Sequence, residues 1–92
     1  MPREEWKVIL SKGALSQFGK LDKSAQERIR KRLEALRVLI PARTLKGRRD
    51  VWVLRIGNFR ALYLIDKTAR TRAVFFIGNH KEYEKKYQQM FK

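Results

Sequence analysis

Two arginines and the single histidine are the residues of this chain best suited to chemistry. The segment 51–65 contains two runs of β-branched and aromatic residues joined by Gly57-Asn58, a pattern that predicts a tight β-hairpin. With these two residues at the turn, Arg55 lies opposite Arg60, and like charges placed there repel each other. A phosphate bound between the guanidinium groups would relieve that repulsion, because arginine matches phosphate oxygens in a bidentate fork.

A later strand is expected to bring the histidine to the same place. Residues 70–77 are predicted to run antiparallel to residues 59–65, so that His80 emerges beside the two arginines, followed by Lys81. A helix N-terminus and nearby arginines favour the neutral imidazole, which can accept a proton. A base and several cations around one phosphate suit cleavage of RNA by its own 2′-hydroxyl, a reaction that requires no metal.

Each neighbouring residue also has a purely structural interpretation. A single histidine at a helix start is more often a surface residue than a base. Glu82 is three residues after Asn79, which is the spacing of a capping box. The simpler interpretation of Tyr83 and Tyr87 is that they pack against the sheet, although a tyrosine can bury its ring and still present its hydroxyl.

The segment before the hairpin is strongly basic. We predict that residues 42–50 form a basic connection between a helix and a strand. A basic loop beside a basic cleft usually holds a nucleic-acid backbone without reading its sequence. The candidates for RNA-phosphate contacts are Arg43, Lys46, Arg48 and Arg49.

The composition limits the possible classes of protein. Ninety-two residues are enough for one small domain, taken as residues 1–92. With 23 Lys and Arg against 9 Asp and Glu, the net charge of +14 attracts polyanions, nucleic acid first among them. An acidic protein or an anionic membrane surface is the alternative partner. The absence of cysteine argues against disulfides and a thiolate metal site, and the single histidine argues against a transition-metal site. No cofactor is expected. With neither a membrane-spanning segment nor a signal peptide, the expected location is the cytoplasm.

The N-terminal half is predicted to contain a strand and two helices. Residues 6–10 form the strand, and Ser11 caps a short helix from Lys12 to about Lys20 that buries Leu15 and Phe18. The second helix begins at a capping box formed by Ser24 and Glu27 and ends at Pro41. Its apolar stripe recurs at helical spacing and comprises Ala25, Ile29, Leu33, Leu36 and Ile40.

A terminal helix from His80 completes the order of elements. Its apolar stripe is Tyr83, Tyr87, Met90 and Phe91. The order predicts an α+β fold: a small antiparallel sheet of three or four strands after the first, two N-terminal helices on one face, and a C-terminal helix.

The whole pattern resembles the RelE/ParE superfamily of bacterial and archaeal toxins. The resemblance begins at Leu45-Lys-Gly, runs through Asp50-Val-Trp-Val-Leu-Arg-Ile-Gly-Asn-Phe-Arg-Ala-Leu-Tyr, and ends at Phe-Phe-Ile-Gly-Asn-His-Lys-Glu-Tyr83. The last segment looks especially like the HigB-type branch. The resemblance covers nearly the whole chain and implies a compact toxin paired with an acidic antitoxin, a RelE-like fold, and cleavage of mRNA at the ribosome, with 16S rRNA contacts.

The resemblance also implies roles for particular residues. In RelE-type members the reaction is carried by a basic residue on the first hairpin strand, an arginine after Tyr or Phe, and a basic residue and a tyrosine near the C-terminus. These positions correspond here to Arg55, Arg60, His80 or Lys81, and Tyr83 or Tyr87. Val53 stands where RelE-type enzymes often have a second lysine, and the tyrosine aligns in two ways.

Other functions remain open at this point. The ParE branch shares the fold but acts on DNA gyrase, and a basic module that only binds nucleic acid would carry the same charge. A degenerate toxin retained as a partner for its antitoxin is a third interpretation. The sequence does not specify the codons cut, the need for the ribosome, the identity of the general base, or the antitoxin and its stoichiometry.

Overall fold

A computed structural model describes residues 6–37, 43–45 and 48–90. The described strands form one five-stranded sheet with the order β1-β5-β4-β3-β2, in which β1 is parallel to β5 and the other pairs are antiparallel. The α+β class is confirmed, and the sheet is mixed because of β1. In chain order the elements are β1 (Lys7–Leu10), α1 (Lys12–Gly19), α2 (Lys23–Ala35), β2 (Arg43–Leu45), β3 (Arg48–Ile56), β4 (Phe59–Asp66), β5 (Thr71–Asn79) and α3 (His80–Met90).

The hairpin between β3 and β4 has the predicted register. Arg55 pairs with Arg60, and Ile56 pairs with Phe59 across the turn. Gly57 adopts a φ of 56°, while Asn58 is not among the residues with positive φ. A positive φ at the first central position alone is the pattern of a type II′ turn, which matches the twist of the two strands.

Helices cover both faces of the sheet. Helices α1 and α2 pack on one face, where the apolar stripe Ala25, Ile29, Leu33 and Leu36 is buried as predicted. Burying a side chain such as Ile29 contributes about 1.5–3 kcal/mol to folding. Helix α3 packs on the opposite face, where Tyr83, Tyr87 and Met90 of its predicted stripe contact a second cluster, while Phe91 lies outside the described residues. The members of that cluster are Val51, Leu62 and Phe76, with Val53, Phe75, Tyr83, Tyr87 and Met90 packed against it.

The predicted start of α2 is wrong. Asp22, not Ser24, is the N-cap, and its Oδ1 accepts a hydrogen bond of 2.9 Å from the backbone N–H of Ala25. Glu27 therefore does not close a capping box and instead forms an ion pair of 2.7 Å with Arg30. An aspartate at this position satisfies a free N–H group of the first turn as well as a serine does.

The predicted end of α2 is also wrong. The helix ends at Ala35 with Leu36 as its C-cap, whereas Ile40 and Pro41 lie outside the described residues. The chain tightens there, because the N–H groups of Leu36 and Arg37 bond to carbonyls three residues earlier. The Arg37 carbonyl then accepts a hydrogen bond of 2.9 Å from the N–H of Trp6, which ties this end of the helix to the start of β1.

Helix α1 is placed as predicted, and Ser11 caps it through a 3.1 Å bond from the N–H of Ala14. Its buried face differs from the prediction, since Leu15 is 59% exposed and Ala14 is fully buried. Phe18 packs against the core as expected. Ala14 and Phe18 are four residues apart, so they share a face, and the small alanine allows the helix backbone to approach β5 closely.

The basic segment is not a simple connection. Residues 43–45 form β2, and residues 48–50 begin β3, which starts before its pairing with β4 at Val51. The register between β2 and β3 shifts between Thr44 and Leu45, whose partners on β3 are Trp52 and Arg48. Lys46 lies outside the described residues.

Candidate nucleic-acid interface

The hairpin turn and the start of α3 meet at one end of the sheet. Strand β5 continues to Asn79, two residues beyond its predicted end, and pairs Gly78 with Arg60. The backbone N–H of His80 then donates a 3.0 Å hydrogen bond to the carbonyl of Asn58. The predicted arrival of His80 at the turn is therefore correct.

A capping box fixes the first turn of α3, as the sequence predicts. The N–H of Glu82 donates to Oδ1 of Asn79 at 2.8 Å, and the N–H of Asn79 donates to Oε1 of Glu82 at 2.8 Å. Two backbone donors are satisfied reciprocally, which holds the helix start against the end of β5.

Gly78 permits the close approach of this helix to the sheet. A Cβ atom on Gly78 would lie 2.8 Å from Cζ of Phe76 and 3.0 Å from Cβ of Glu82. The φ of Gly78 is not positive, so the requirement for glycine comes from space and not from backbone conformation. The first turn of α3 can therefore lie directly over the strand position that pairs with Arg60.

The two hairpin arginines have different environments. Nη1 of Arg60 donates to the carbonyls of Gly57 at 2.9 Å and of Phe59 at 2.8 Å. These bonds fix the guanidinium group at the turn and leave the donors on Nε and Nη2 for a ligand. Arg55 is exposed and forms no hydrogen bond or ion pair with the described part of the chain.

Both arginines belong to the sheet face that α3 covers. Side chains alternate along a strand, and Val53 and Leu62, one pair away, pack in the cluster beneath α3. Arg55, Arg60 and the first turns of α3 therefore share a surface around the turn. We call the group of Arg55, Arg60, His80, Tyr83 and Tyr87 the hairpin site.

The rings of His80, Tyr83 and Tyr87 follow one another along α3. The ring of Tyr83 lies 6.2 Å from that of His80 and 6.3 Å from that of Tyr87. Burial, with a smaller contribution from Tyr87, raises the pKa of Tyr83, while the positive charge of Arg60 acts to lower it. Tyr83 therefore keeps its proton at neutral pH and lies close enough to Arg60 for the charge of the guanidinium group to act on it.

Sequence reasoning missed Glu84. Its Oε2 lies 3.7 Å from Nε2 of His80, one helical turn away, and both side chains are about half exposed. The carboxylate therefore lies close to the imidazole ring from the next turn of α3. The four-residue spacing on a predicted helix was the available signal.

The remaining predicted residues are not all brought to the hairpin site. Lys81 is exposed in the first turn of α3. Arg43 pairs in register with Val53, two residues from Arg55. Arg48 and Arg49 lie at the other end of β3, roughly 20 Å along the strand from Arg55.

The described residues show neither a cluster of metal ligands nor a membrane-spanning helix. Residues 6–37, 43–45 and 48–90 contain no cluster of three or more His, Cys, Asp or Glu residues arranged to hold a metal ion. In the same ranges, every helix is too short or too polar to span a membrane.

Solved structures share this fold. A chain of the toxin–antitoxin complex RelBE2 from Mycobacterium tuberculosis matches with a TM-score of 0.73 and 19% identity, over 83% of this chain and 92% of that one. The isolated E. coli RelE toxin matches with a TM-score of 0.70 and 21% identity, over 92% and 98%. A chain of the intact E. coli RelBE toxin–antitoxin complex reaches 26% identity with a TM-score of 0.68, over 80% and 95%. The fold is that of RelE-type toxins.

The sequence defines the family. Residues 8–83 match the model of the ParE toxin of type II toxin–antitoxin systems, parDE, and the chain belongs to this family. No protein with a curated description is similar enough in sequence to count as a match. The resemblance to the RelE/ParE superfamily is confirmed, and the chain is the toxin of a type II toxin–antitoxin system.

Proposed function

We propose that this toxin is an mRNA endoribonuclease that acts on messages bound to the ribosome and so inhibits translation. The observation that supports the proposal is the convergence at the hairpin turn: Arg55 pairs with Arg60, the backbone of His80 bonds to the carbonyl of Asn58, and the charge of Arg60 acts on Tyr83. These groups supply the cations, base and acid that cleavage by the 2′-hydroxyl needs.

The proposed reaction assigns one role to each group. His80 takes the proton of the 2′-hydroxyl as its oxygen forms a bond to phosphorus. Arg55 and Arg60 stabilise the charge on the phosphate oxygens, and Tyr83 donates its proton to the 5′-oxygen as the P–O5′ bond breaks. The products are a 2′,3′-cyclic phosphate and a free 5′-hydroxyl. Lys81 adds positive charge at the helix start, and no metal or cofactor takes part.

A translation assay tests the assignment. Purified toxin is added to ribosomes stalled on a defined message, and the 5′ and 3′ ends of the fragments are mapped. His80→Ala should reduce cleavage roughly 10²–10⁴-fold, the range expected for removal of a general base. An intact message with the wild type, or full cleavage by His80→Ala, would refute the proposal.

The two tyrosines are predicted to differ. Tyr83→Phe should lower cleavage roughly 10²-fold or more by removing the proton donor, whereas Tyr87→Phe should leave most of the rate. The reason is that the ring of Tyr83 lies 6.2 Å from that of His80, and the positive charge of Arg60 acts to lower the pKa of Tyr83. Each change removes one oxygen from a half-buried ring, so the two variants are matched, and the reverse order of effects would assign the role to Tyr87.

Glu84 is predicted to act through His80 as a positioning residue. When His80 accepts a proton, the carboxylate of Glu84 at 3.7 Å stabilises the imidazolium. Glu84→Gln should therefore lower the cleavage rate, but by less than His80→Ala does, because the base remains while its charge partner is lost. Glu84→Asp should recover part of the rate, and an unchanged rate in Glu84→Gln would exclude the role.

The proposed macromolecular partners are mRNA and the ribosome on one side and an antitoxin on the other. The RelBE structures are complexes of toxin and antitoxin, and a chain with a net charge of +14 suits an acidic antitoxin. The proposed 16S rRNA contacts would use the same charge, with Arg43, Lys46, Arg48 and Arg49 as candidates. A cytoplasmic location follows from these partners.

A second function, inhibition of DNA gyrase, is favoured by one observation. The matching family model is that of ParE, the toxin of parDE systems. A supercoiling assay with purified gyrase distinguishes the two functions: inhibition at toxin concentrations that leave ribosome-bound RNA intact would establish the second. Retention of both Arg60 and His80 at the hairpin turn makes the nuclease the first choice.

A further inference from the structure

An arginine of α2 reaches the hairpin turn from the opposite side of the sheet. Nη1 of Arg28 lies 3.2 Å from the position that a Cβ atom on Gly57 would occupy. The carbonyl of the same Gly57 accepts the 2.9 Å hydrogen bond from Arg60. The Cβ position and the carbonyl oxygen both belong to Gly57 and are separated by only a few bonds. Nη1 of Arg28 and Nη1 of Arg60 are therefore no more than about 10 Å apart. The turn therefore lies between the guanidinium groups of Arg28 and Arg60.

No acidic side chain among the described residues neutralises the charge of Arg28. Arg28 is exposed and has no ion pair among the described residues. Arg32 is four residues later, so it lies on the same flank of α2 and adds a second exposed charge. An anion bound between two positive charges offsets their mutual repulsion, so Arg28 and Arg60 favour the binding of an anion at the turn.

Arg30, on the other flank of α2, shows the contrasting case. It forms ion pairs of 2.7 Å with Glu27 and 2.9 Å with Glu34. The hydrogen bond and charge of Arg30 also lower the pKa of Glu27. Two carboxylates therefore neutralise this flank, whereas the flank of Arg28 remains cationic.

We propose that Arg28 binds a second backbone phosphate of the RNA strand whose scissile phosphate occupies the hairpin site. The strand would pass over the Gly57-Asn58 turn, from the α3 face of the sheet to the flank of α2. This inference rests on the proposed function for the identity of the strand. Arg28 positions the RNA and takes no part in proton transfer, because contacts with the phosphate backbone fix register and orientation.

Salt-dependent RNA binding tests the proposal without requiring cleavage. The probe is a fluorescein-labelled, fully 2′-O-methylated 12-nucleotide RNA, which has no free 2′-hydroxyl and cannot be cut. Arg28→Ala should weaken binding roughly three- to tenfold and reduce the slope of log K against log[salt] by about 0.7, the value for one phosphate contact on a single strand. Arg28→Lys should retain most of the slope.

Arg30→Ala is the matched control, because it removes the same charge from an exposed position of the same helix. Equal slopes for Arg28→Ala and Arg30→Ala, or no binding of this RNA by the wild type, would overturn the proposal. Loss of binding to an acidic antitoxin peptide in Arg28→Ala, with RNA binding unchanged, would assign the flank to a protein partner and also overturn it. Because the probe is not cleaved, these results are independent of whether the protein is a nuclease.

Discussion

Replacing Arg60 with alanine is expected to reduce cleavage of a ribosome-bound message about 10²–10³-fold, equivalent to about 2.7–4 kcal/mol of transition-state stabilisation. Arg60 is fixed at the turn by the two hydrogen bonds from Nη1, so its remaining donors are held in place before substrate binds. Such preorganised donors stabilise developing negative charge without a cost of reorganisation. Single-turnover cleavage at saturating ribosome concentration measures the effect.

The structural role of Arg60 requires two controls. Arg60→Ala also removes bonds to the turn carbonyls of Gly57 and Phe59, so its thermal unfolding must be measured beside its activity. Arg55→Ala removes a guanidinium that has no such bonds and should lose activity without a change in unfolding temperature. Arg60→Lys keeps the charge but not the planar fork, and an intermediate rate is expected. Cleavage within threefold of wild type in both alanine variants would contradict the proposed mechanism.

The position of the hairpin site could be predicted because it depends on local signals. Gly57-Asn58 between two β-branched runs predicts the position of the turn. Counting outward from these two residues then gives the residue that pairs with Arg60. The Asn79 and Glu82 capping box likewise determines where α3 begins. Both signals act within a few residues, whereas the meeting of His80 with the two arginines also needed the predicted antiparallel pairing of β4 with β5.

The wrong predictions depend on choices that local signals leave open. Asp22 and Ser24 are both good caps for α2, and the structure uses Asp22. Ala14 and Leu15 are adjacent positions of α1, and only the packing distance to β5 decides that the small one is buried. The contact between Arg28 and the turn joins elements about thirty residues apart in sequence, and no spacing rule reports it.

A methyl group added to Gly78 is predicted to damage both the fold and the site. In Gly78→Ala the new Cβ atom would lie 2.8 Å from Cζ of Phe76 and 3.0 Å from Cβ of Glu82. The phenylalanine ring can turn aside, but Cβ of Glu82 is attached to the backbone of α3. The helix must therefore move outward, at a cost of about 1–3 kcal/mol in unfolding free energy, as for other overpacked positions. Chemical denaturation measures this cost.

The same displacement should lower activity by more than the loss of stability explains. His80 and Tyr83 move with α3, whereas Arg60 stays with the hairpin. Since a misplacement of about 1 Å can cost 10²-fold in rate, a shift of a few tenths of an ångström should lower the rate severalfold. Gly19→Ala is the matched control, because a Cβ there meets nothing within 4 Å and alanine favours the helix by up to about 1 kcal/mol. Gly78→Ala with wild-type stability and cleavage would show that the close approach of α3 is not required. Loss of cleavage in a folded Gly78→Ala protein would show instead that the distance between α3 and the hairpin determines the rate.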